Sequence, residues 1–401
     1  MAAPTLVGAD GAVWRDGKRY LWLMALLPPL LPIVGFGLWH RTGSELHWWL
    51  APFFVYVLLP LTDWTTPKDR VNPPESVRRQ LEADRYYRWC TYLYLPLAGV
   101  SLVLGCWAWT YGDLSLLGQA GLVVSIGTSS GVGINTAHEL GHKRERVERW
   151  LSKIMLAPTA YGHFYVEHNR GHHVRVATPE DPASARMGES FYRFWPRTVI
   201  GSLRSAWNLE ARRLRLRGRR VISPRNEVLN AWAFTVVLFA ALAAAFGPGV
   251  LVFLALQAVF GFSLLEIVNY IEHYGLARAR TAAGRYEKVR PRHSWNSDNV
   301  ISNLSLYHLQ RHSDHHANPT LRYQALRSFA EAPELPSGYA TMIMLAAVPP
   351  LWFRVMDPRV VAHYGGDVTK ANLDPARRDA LLARYGAGSD AGRGAVAAAA
   401  R

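Results

Sequence analysis

The chain has 401 residues, half of them hydrophobic, and a formal charge of +15 from 45 Lys and Arg against 30 Asp and Glu. So basic a soluble protein would point to nucleic acid, but the hydrophobic residues gather in bilayer-length blocks, and nucleic acid is excluded as the expected partner. The two cysteines, Cys90 and Cys106, form no CxxC pair, so neither a disulfide framework nor a cysteine-held metal cluster is expected.

After a short polar tail, six blocks of 17–24 residues read as transmembrane helices: 20–38, 46–62, 90–110, 114–137, 228–246 and 250–271. Pro28, Pro29 and Pro32 interrupt the first block and no small-residue cleavage site follows, so it reads as a retained span rather than a signal peptide. Segment 63–89 carries Lys68, Arg70, Arg78, Arg79, Arg85 and Arg88. Segment 138–227 carries the run Arg212, Arg213, Arg215, Arg217, Arg219 and Arg220. The turns at 39–45, 111–113 and 247–249 hold only Arg41 between them. This asymmetry places both termini and the large loops in the cytoplasm. A weaker apolar block at 339–353, broken by Pro349 and Pro350, reads as interfacial or re-entrant. Residues 385–401 read as a disordered low-complexity tail. The expected fold is an all-α integral membrane protein, its six helices capped by a cytoplasmic histidine-rich helical region. Residues 1–384 form one domain, with cytoplasmic catalytic parts at 138–227 and 272–384.

The histidines carry the chemistry. In HELGH, His138 and His142 are four apart, one helical turn on one face. His168 and His172 repeat that spacing, and His173 stands beside them. His312, His315 and His316 are again at i, i+3 and i+4, and His273 lies just past the inner end of the sixth block. A metal ion takes roughly four to six ligands, so nine imidazoles imply two metals. HELGH alone would suggest a zinc protease with Glu139 as base, but that leaves most of the other histidines unexplained. His308 is the next ligand candidate; His163 and His293 read as neighbours of the site. Glu139, Glu167, Glu272 and Asp314 adjoin candidate ligands, and each can accept an N–H from a histidine of another cluster. Glu266 inside an apolar helix, Asn135 one turn before His138, and Asp181 in TPEDP are further catalytic candidates. The substrate lining is expected among small and aromatic residues of the first four helices.

The stretches NTAHELGHK (135–143), EHNRGHHVRVATPEDPASARMGES (167–190), NYIEHYGL (269–276), HSWNS (293–297) and LQRHSDHHANP (309–319) resemble the bacterial alkane 1-monooxygenases of AlkB type, within the membrane fatty-acid desaturase and hydroxylase superfamily. The resemblance covers roughly residues 15–385. It implies a non-haem di-iron centre of two Fe ions, held by His138, His142, His168, His172, His173, His273, His312, His315 and His316. It further implies O2-dependent hydroxylation of the terminal methyl of n-alkanes to 1-alkanols, in the bacterial inner membrane. Electrons in this family come from rubredoxin, itself reduced by an NADH-dependent reductase. Some relatives carry a fused rubredoxin with two CxxC pairs; this chain has none, so a separate rubredoxin is expected.

Overall fold

The protein is described by a computed structural model covering residues 3–386. It opens on a two-stranded hairpin, β1 (Thr5–Val7) and β2 (Val13–Arg15), with Leu6 opposite Trp14. The rest is helical. Helix α1 (Arg19–Thr42) begins as a 3-10 stretch and becomes α-helical at Leu27; Pro28 and Pro29 sit in the first α-turn, where their missing N–H costs nothing. Helix α2 covers residues 45–65 as successive 3-10, α, π and α stretches.

Helix α3 (Arg85–Tyr111) starts five residues before the predicted block, capped by Asp84. Helix α4 (Leu116–Gly141) continues past the predicted end at 137, so His138 stands on the membrane helix itself. Helix α5 (Arg146–Met155) lies beyond it, and α6 (residues 164–175) carries the second histidine cluster. Helix α7 (Phe191–Leu216) is a long amphipathic rod ending in the arginine run. The third hairpin is α8 (Glu227–Phe246), capped by the Asn226 side chain, and α9 (Val250–His273). His273 is the last residue of α9 rather than a residue beyond it. A short helix, α10 (His312–Ala317), holds the third cluster. Helices α11 (Tyr339–Ala346) and α12 (Pro349–His363) meet at 120°, with the two prolines opening α12. That bend agrees with an interfacial or re-entrant reading of 339–353.

Among the described residues, five helices, α1, α3, α4, α8 and α9, are long and apolar enough to cross a membrane, and the bent α11–α12 pair would make a sixth if taken as one span. The segment predicted as the second span, 46–62, is helical throughout, but in the broken form given above. Residues 387–401 of the expected tail lie outside the described residues, whereas Tyr385 closes a helix and is buried.

Two features fix the bundle around the site. Gly131 of α4 faces Gly261 of α9 so closely that a Cβ at 131 would stand 2.8 Å from the Gly261 carbonyl oxygen; a Cβ at 261 would meet the Gly127 carbonyl at 3.1 Å. Gly127 and Gly131 form a small-xxx-small face that lets the two backbones touch. Beyond the end of α4, Arg322 joins the fully buried Glu148 at 3.0 Å and Glu145 at 2.8 Å, tying the loop after α10 to α5.

Candidate metal centre

The nine predicted histidines come together as two groups, each with its ligand atoms within 4.8 Å of one another. The first holds His138, His142, His168, His173 and His315; the second holds His172, His273, His312 and His316. In the first, the Nε2 atoms of His138 and His315 lie 2.8 Å apart, and His173 Nε2 lies 3.0 Å from that of His168 and 3.1 Å from that of His315. In the second, His312 Nε2 lies 3.2 Å from that of His273 and 2.9 Å from that of His316. So many ring nitrogens turned inward on one point cannot all pair by hydrogen bonds, because a neutral imidazole carries one proton for two nitrogens. The buried Nε2 atoms of His142 and His172 have no hydrogen-bond partner at all. A metal ion satisfies every such lone pair at once, and the donor set fits it.

Electrostatics favour the same state. Burial, reinforced by neighbouring imidazoles, holds His142, His168, His173, His312, His315 and His316 well below the usual histidine range. They are therefore neutral at pH 7, the form that donates a lone pair to a metal.

Local backbone geometry decides the split. Residues 168–172 of α6 form a π turn. That wider turn brings His168 over His173, five residues on, and both enter the first group. His172 is left to face the second, its ring 5.0 Å from that of His273. In α10 the i, i+4 pair His312 and His316 serves the second group, while His315 turns to the first.

Supporting residues follow a plainer rule. Asp181 Oδ2 lies 2.9 Å from His172 Nδ1 and accepts from the Ser184 hydroxyl at 2.7 Å. Burial works to raise the Asp181 carboxyl, but the His172 contact and the hydrogen bonds prevail and hold it below the ordinary range. It thus orients a ligand ring through the atom opposite the metal-facing one. The His273 Nδ1 atom lies 3.3 Å from the His293 carbonyl oxygen. Asp181→Asn is expected to weaken metal retention about 10- to 100-fold, measured by metal content after graded chelator exposure; retention equal to wild type would remove this role.

Of the four acids beside the ligands, three do not reach a histidine. Glu139 pairs with Lys143 at 2.9 Å and accepts the Tyr323 N–H; Glu167 pairs with Arg175; Asp314 takes Arg327 and Asn318. Successive helical residues diverge by about 100°, so each points away from the group its neighbour enters. Glu139 is therefore not poised as a protease base. Glu272 is the exception: its Oε2 stands 3.1 Å from His312 Nε2, on the metal-facing side, and its Oε1 accepts from Tyr339 at 3.0 Å.

The remaining candidates lie near but outside both groups. His308 lies with Nδ1 2.9 Å from the Tyr323 carbonyl oxygen and its ring edge-on to Trp22, so it is no tenth ligand here. His163 packs edge-on to Tyr161, and the His293 ring meets Glu287 and the Arg290 N–H. Asn135 donates to the Leu306 carbonyl at 2.7 Å, not to a ligand. Glu266 is buried and takes hydrogen bonds from Tyr161, Thr198 and Asn269.

Against the histidines lies an apolar cavity. Its walls come from Pro28, Val55, Leu59, Val132, Leu264, Val268, Leu309, Ala340 and Ile343, and polar groups of Asn135, His138, His168, Asn269, Glu272 and His312 also line it. The walls are mainly aliphatic, and α3, one of the four helices expected to contribute, supplies none of them. The C-terminal half of the chain closes the cavity through α9, α11 and the 305–312 segment.

Residues 114–346 match the fatty acid desaturase family. An alkane 1-monooxygenase of Ectopseudomonas oleovorans is 48% identical over 375 residues, 93% of each chain, and one of Acinetobacter baylyi is 46% identical over 377 residues, 92% of each. The xylene/toluene monooxygenase hydroxylase component XylM of Pseudomonas putida is more distant, 27% identical over 66% of this chain and 71% of its own. With its nine histidines gathered at the end of an apolar cavity in a helical bundle, this chain belongs to the alkane 1-monooxygenase family, within the membrane fatty-acid desaturase and hydroxylase superfamily.

Proposed function

We propose that the protein hydroxylates the terminal methyl of n-alkanes to 1-alkanols at a non-haem di-iron centre, using O2 and electrons from a separate rubredoxin. The observation that carries this reading is the junction of the apolar cavity with both histidine groups, through His138, His168, His312 and Glu272. An alkane offers no polar handle, so selection rests on shape and burial, about 0.8 kcal/mol for each methylene. The first group supplies five imidazoles and the second four with a carboxylate beside them. Iron bound there supplies the O2 chemistry that an unactivated C–H bond needs and no side chain provides.

The protein's own part is positional. The aliphatic walls hold the chain end-on toward the histidines and keep water away from the reacting end. Asp181 fixes the His172 ring, and Tyr339 fixes Glu272. Per turnover, one alkane, one O2, two electrons and two protons give one alcohol and one water. The arginine-rich loops support an inner-membrane placement with cytoplasmic termini, the side on which NADH, rubredoxin reductase and rubredoxin would act.

The direct test is turnover of the purified protein in nanodiscs with rubredoxin, its reductase, NADH, O2 and a mid-length n-alkane, with metal measured on the same sample. The 1-alkanol with about two irons per chain is expected. One zinc per chain and no alcohol, with every carrier shown active, would overturn the proposal. A second expectation concerns the cavity. Ala340→Phe adds a ring to its wall and should shorten the longest alkane accepted, with kcat/KM falling about fourfold for each methylene excluded. A uniform loss across all chain lengths would count against this cavity as the alkane site.

A further inference from the structure

We propose that the turn joining α7 to α8, residues 212–225, binds an anionic phospholipid, with its arginines on the headgroup phosphate and Leu216 and Ile222 among the acyl chains. The inference rests on the reading of α8 as a membrane span. Between Glu210 and Glu227 the chain holds seven arginines and no acid. Six of them, Arg212, Arg215, Arg217, Arg219, Arg220 and Arg225, are exposed. Among the described residues the seventh, Arg213, is the one that pairs with an acid, the fully buried Glu210. The two bracketing acids are engaged elsewhere as well: Glu210 takes Arg170 at 2.7 Å, and Glu227 takes Lys153. Six guanidiniums therefore crowd one turn without a counter-charge from the protein, and an anion from outside relieves their repulsion.

Charge alone would serve topology, which the arginines flanking a span set whatever lies beside them. The apolar residues set between them serve no such end. Leu216, in the last turn of α7, and Ile222, in the loop, are each 79% exposed. A free phosphate has nothing to offer those two side chains, and water is their worst solvent. A phospholipid meets both needs at once: a phosphate for planar, bidentate arginines and hydrocarbon for the aliphatics.

The turn is built to stay at the mouth of the span. Gly218, with φ of 63°, closes α7: the Arg219 N–H reaches the Leu214 carbonyl at 2.9 Å and the Gly218 N–H reaches that of Arg215 at 2.9 Å, so the chain reverses at once. Arg213 donates to the Arg225 carbonyl at 2.9 Å, and Glu210 accepts the Glu227 N–H at 2.8 Å. The end of α7 is thereby clasped to the start of α8, whose Val236 and Val237 are exposed on the outside of the bundle. The arginines lie where a lipid beside α8 would carry its headgroup.

Lipid quenching of a single label tests this on the full chain in nanodiscs. Cys90 and Cys106 are buried, so bimane goes to the new thiol of Ile222→Cys. The discs mix phosphatidylcholine and phosphatidylglycerol, and one of the two at a time carries brominated acyl chains, which quench on contact. At equal mole fraction brominated phosphatidylglycerol should quench about fivefold or more effectively than brominated phosphatidylcholine, since each basic residue near the surface supplies about that factor. Adding Arg215→Gln, Arg217→Gln, Arg219→Gln and Arg220→Gln should bring the two lipids within about twofold of each other. If that variant assembles poorly, about 1 M salt should do the same to the arginine-bearing protein, because charge is then screened within about 3 Å. Arg285→Gln/Lys288→Gln, at exposed positions outside this turn, should keep the preference. Equal quenching by the two lipids would overturn the site and leave the arginines to topology alone. No quenching by either would overturn it too, placing the turn in water. A label at Val236→Cys separates these failures from that of the span: if neither lipid quenches it, α8 does not lie in the bilayer, and the site falls with that reading.

Discussion

Replacing His312 by alanine should abolish alcohol formation while leaving a folded membrane protein. His312 is the hub of the second group: its Nε2 lies within 3.2 Å of the Nε2 atoms of both His273 and His316, and 3.1 Å from Glu272. It is 1% exposed and lines the cavity, so its loss removes a ligand and opens the site to water. A metal contributes several kcal/mol to a transition state. At about 1.4 kcal/mol per factor of ten, a fall of about a thousandfold or more is expected. Metal content should drop toward about one ion per chain, because the first group keeps its five histidines. His47→Ala, at a half-buried residue outside the site, should stay near wild type. A protease built on His138, Glu139 and His142 would be far less sensitive to His312. Alcohol yields near wild type in His312→Ala would therefore end the two-group interpretation.

Glu272→Gln should cost less, through a subtler change. The amide keeps the size of the side chain and an oxygen for Tyr339, but it puts an NH2, which has no lone pair to give a metal, where a carboxyl oxygen stands 3.1 Å from the His312 nitrogen. Carboxylates that support a metal site typically matter by about 10- to 100-fold in affinity or activity. We expect turnover to fall in that range, with a changed Mössbauer spectrum from the second group and an unchanged one from the first. Equal changes in both groups, or none, would refute a carboxylate belonging to one site. Glu266→Gln makes the contrast. Glu266 accepts from three donors and touches no histidine, so its change should appear mainly as about 1–3 kcal/mol of lost stability, read by thermal unfolding.

Which histidines matter was legible in the sequence, because i, i+4 spacing at one side of the membrane spans has few other causes. How they divide was not. Equal spacing in His138–His142 and His168–His172 leads to different outcomes, since α4 keeps a regular turn and residues 168–172 take a π turn. Nothing in HNRGH specifies that turn. The helices were legible from block length, but the cavity was not. Its walls join Pro28 and Leu59 to Ile343, residues far apart in the chain whose meeting depends on tertiary packing. Glu272 illustrates the same limit: it adjoins His273, yet it acts on the His312 ring of another segment, whereas Asp181 reaches back to His172 of the cluster it follows.

The backbone contact of Gly131 with Gly261 has an effect far from where it lies. His138 stands about 10 Å along α4 from that contact, and His273 about 18 Å along α9. One helix tip delivers a ring to the first group, the other to the second. The contact is thus a fulcrum, and the gap between the two histidine groups is metered partway along two membrane-length helices by the absence of a side chain. A single methyl at 131 would pry the helices apart and be magnified at their tips. Its signature would be altered magnetic exchange between two irons that both keep their full sets of histidines.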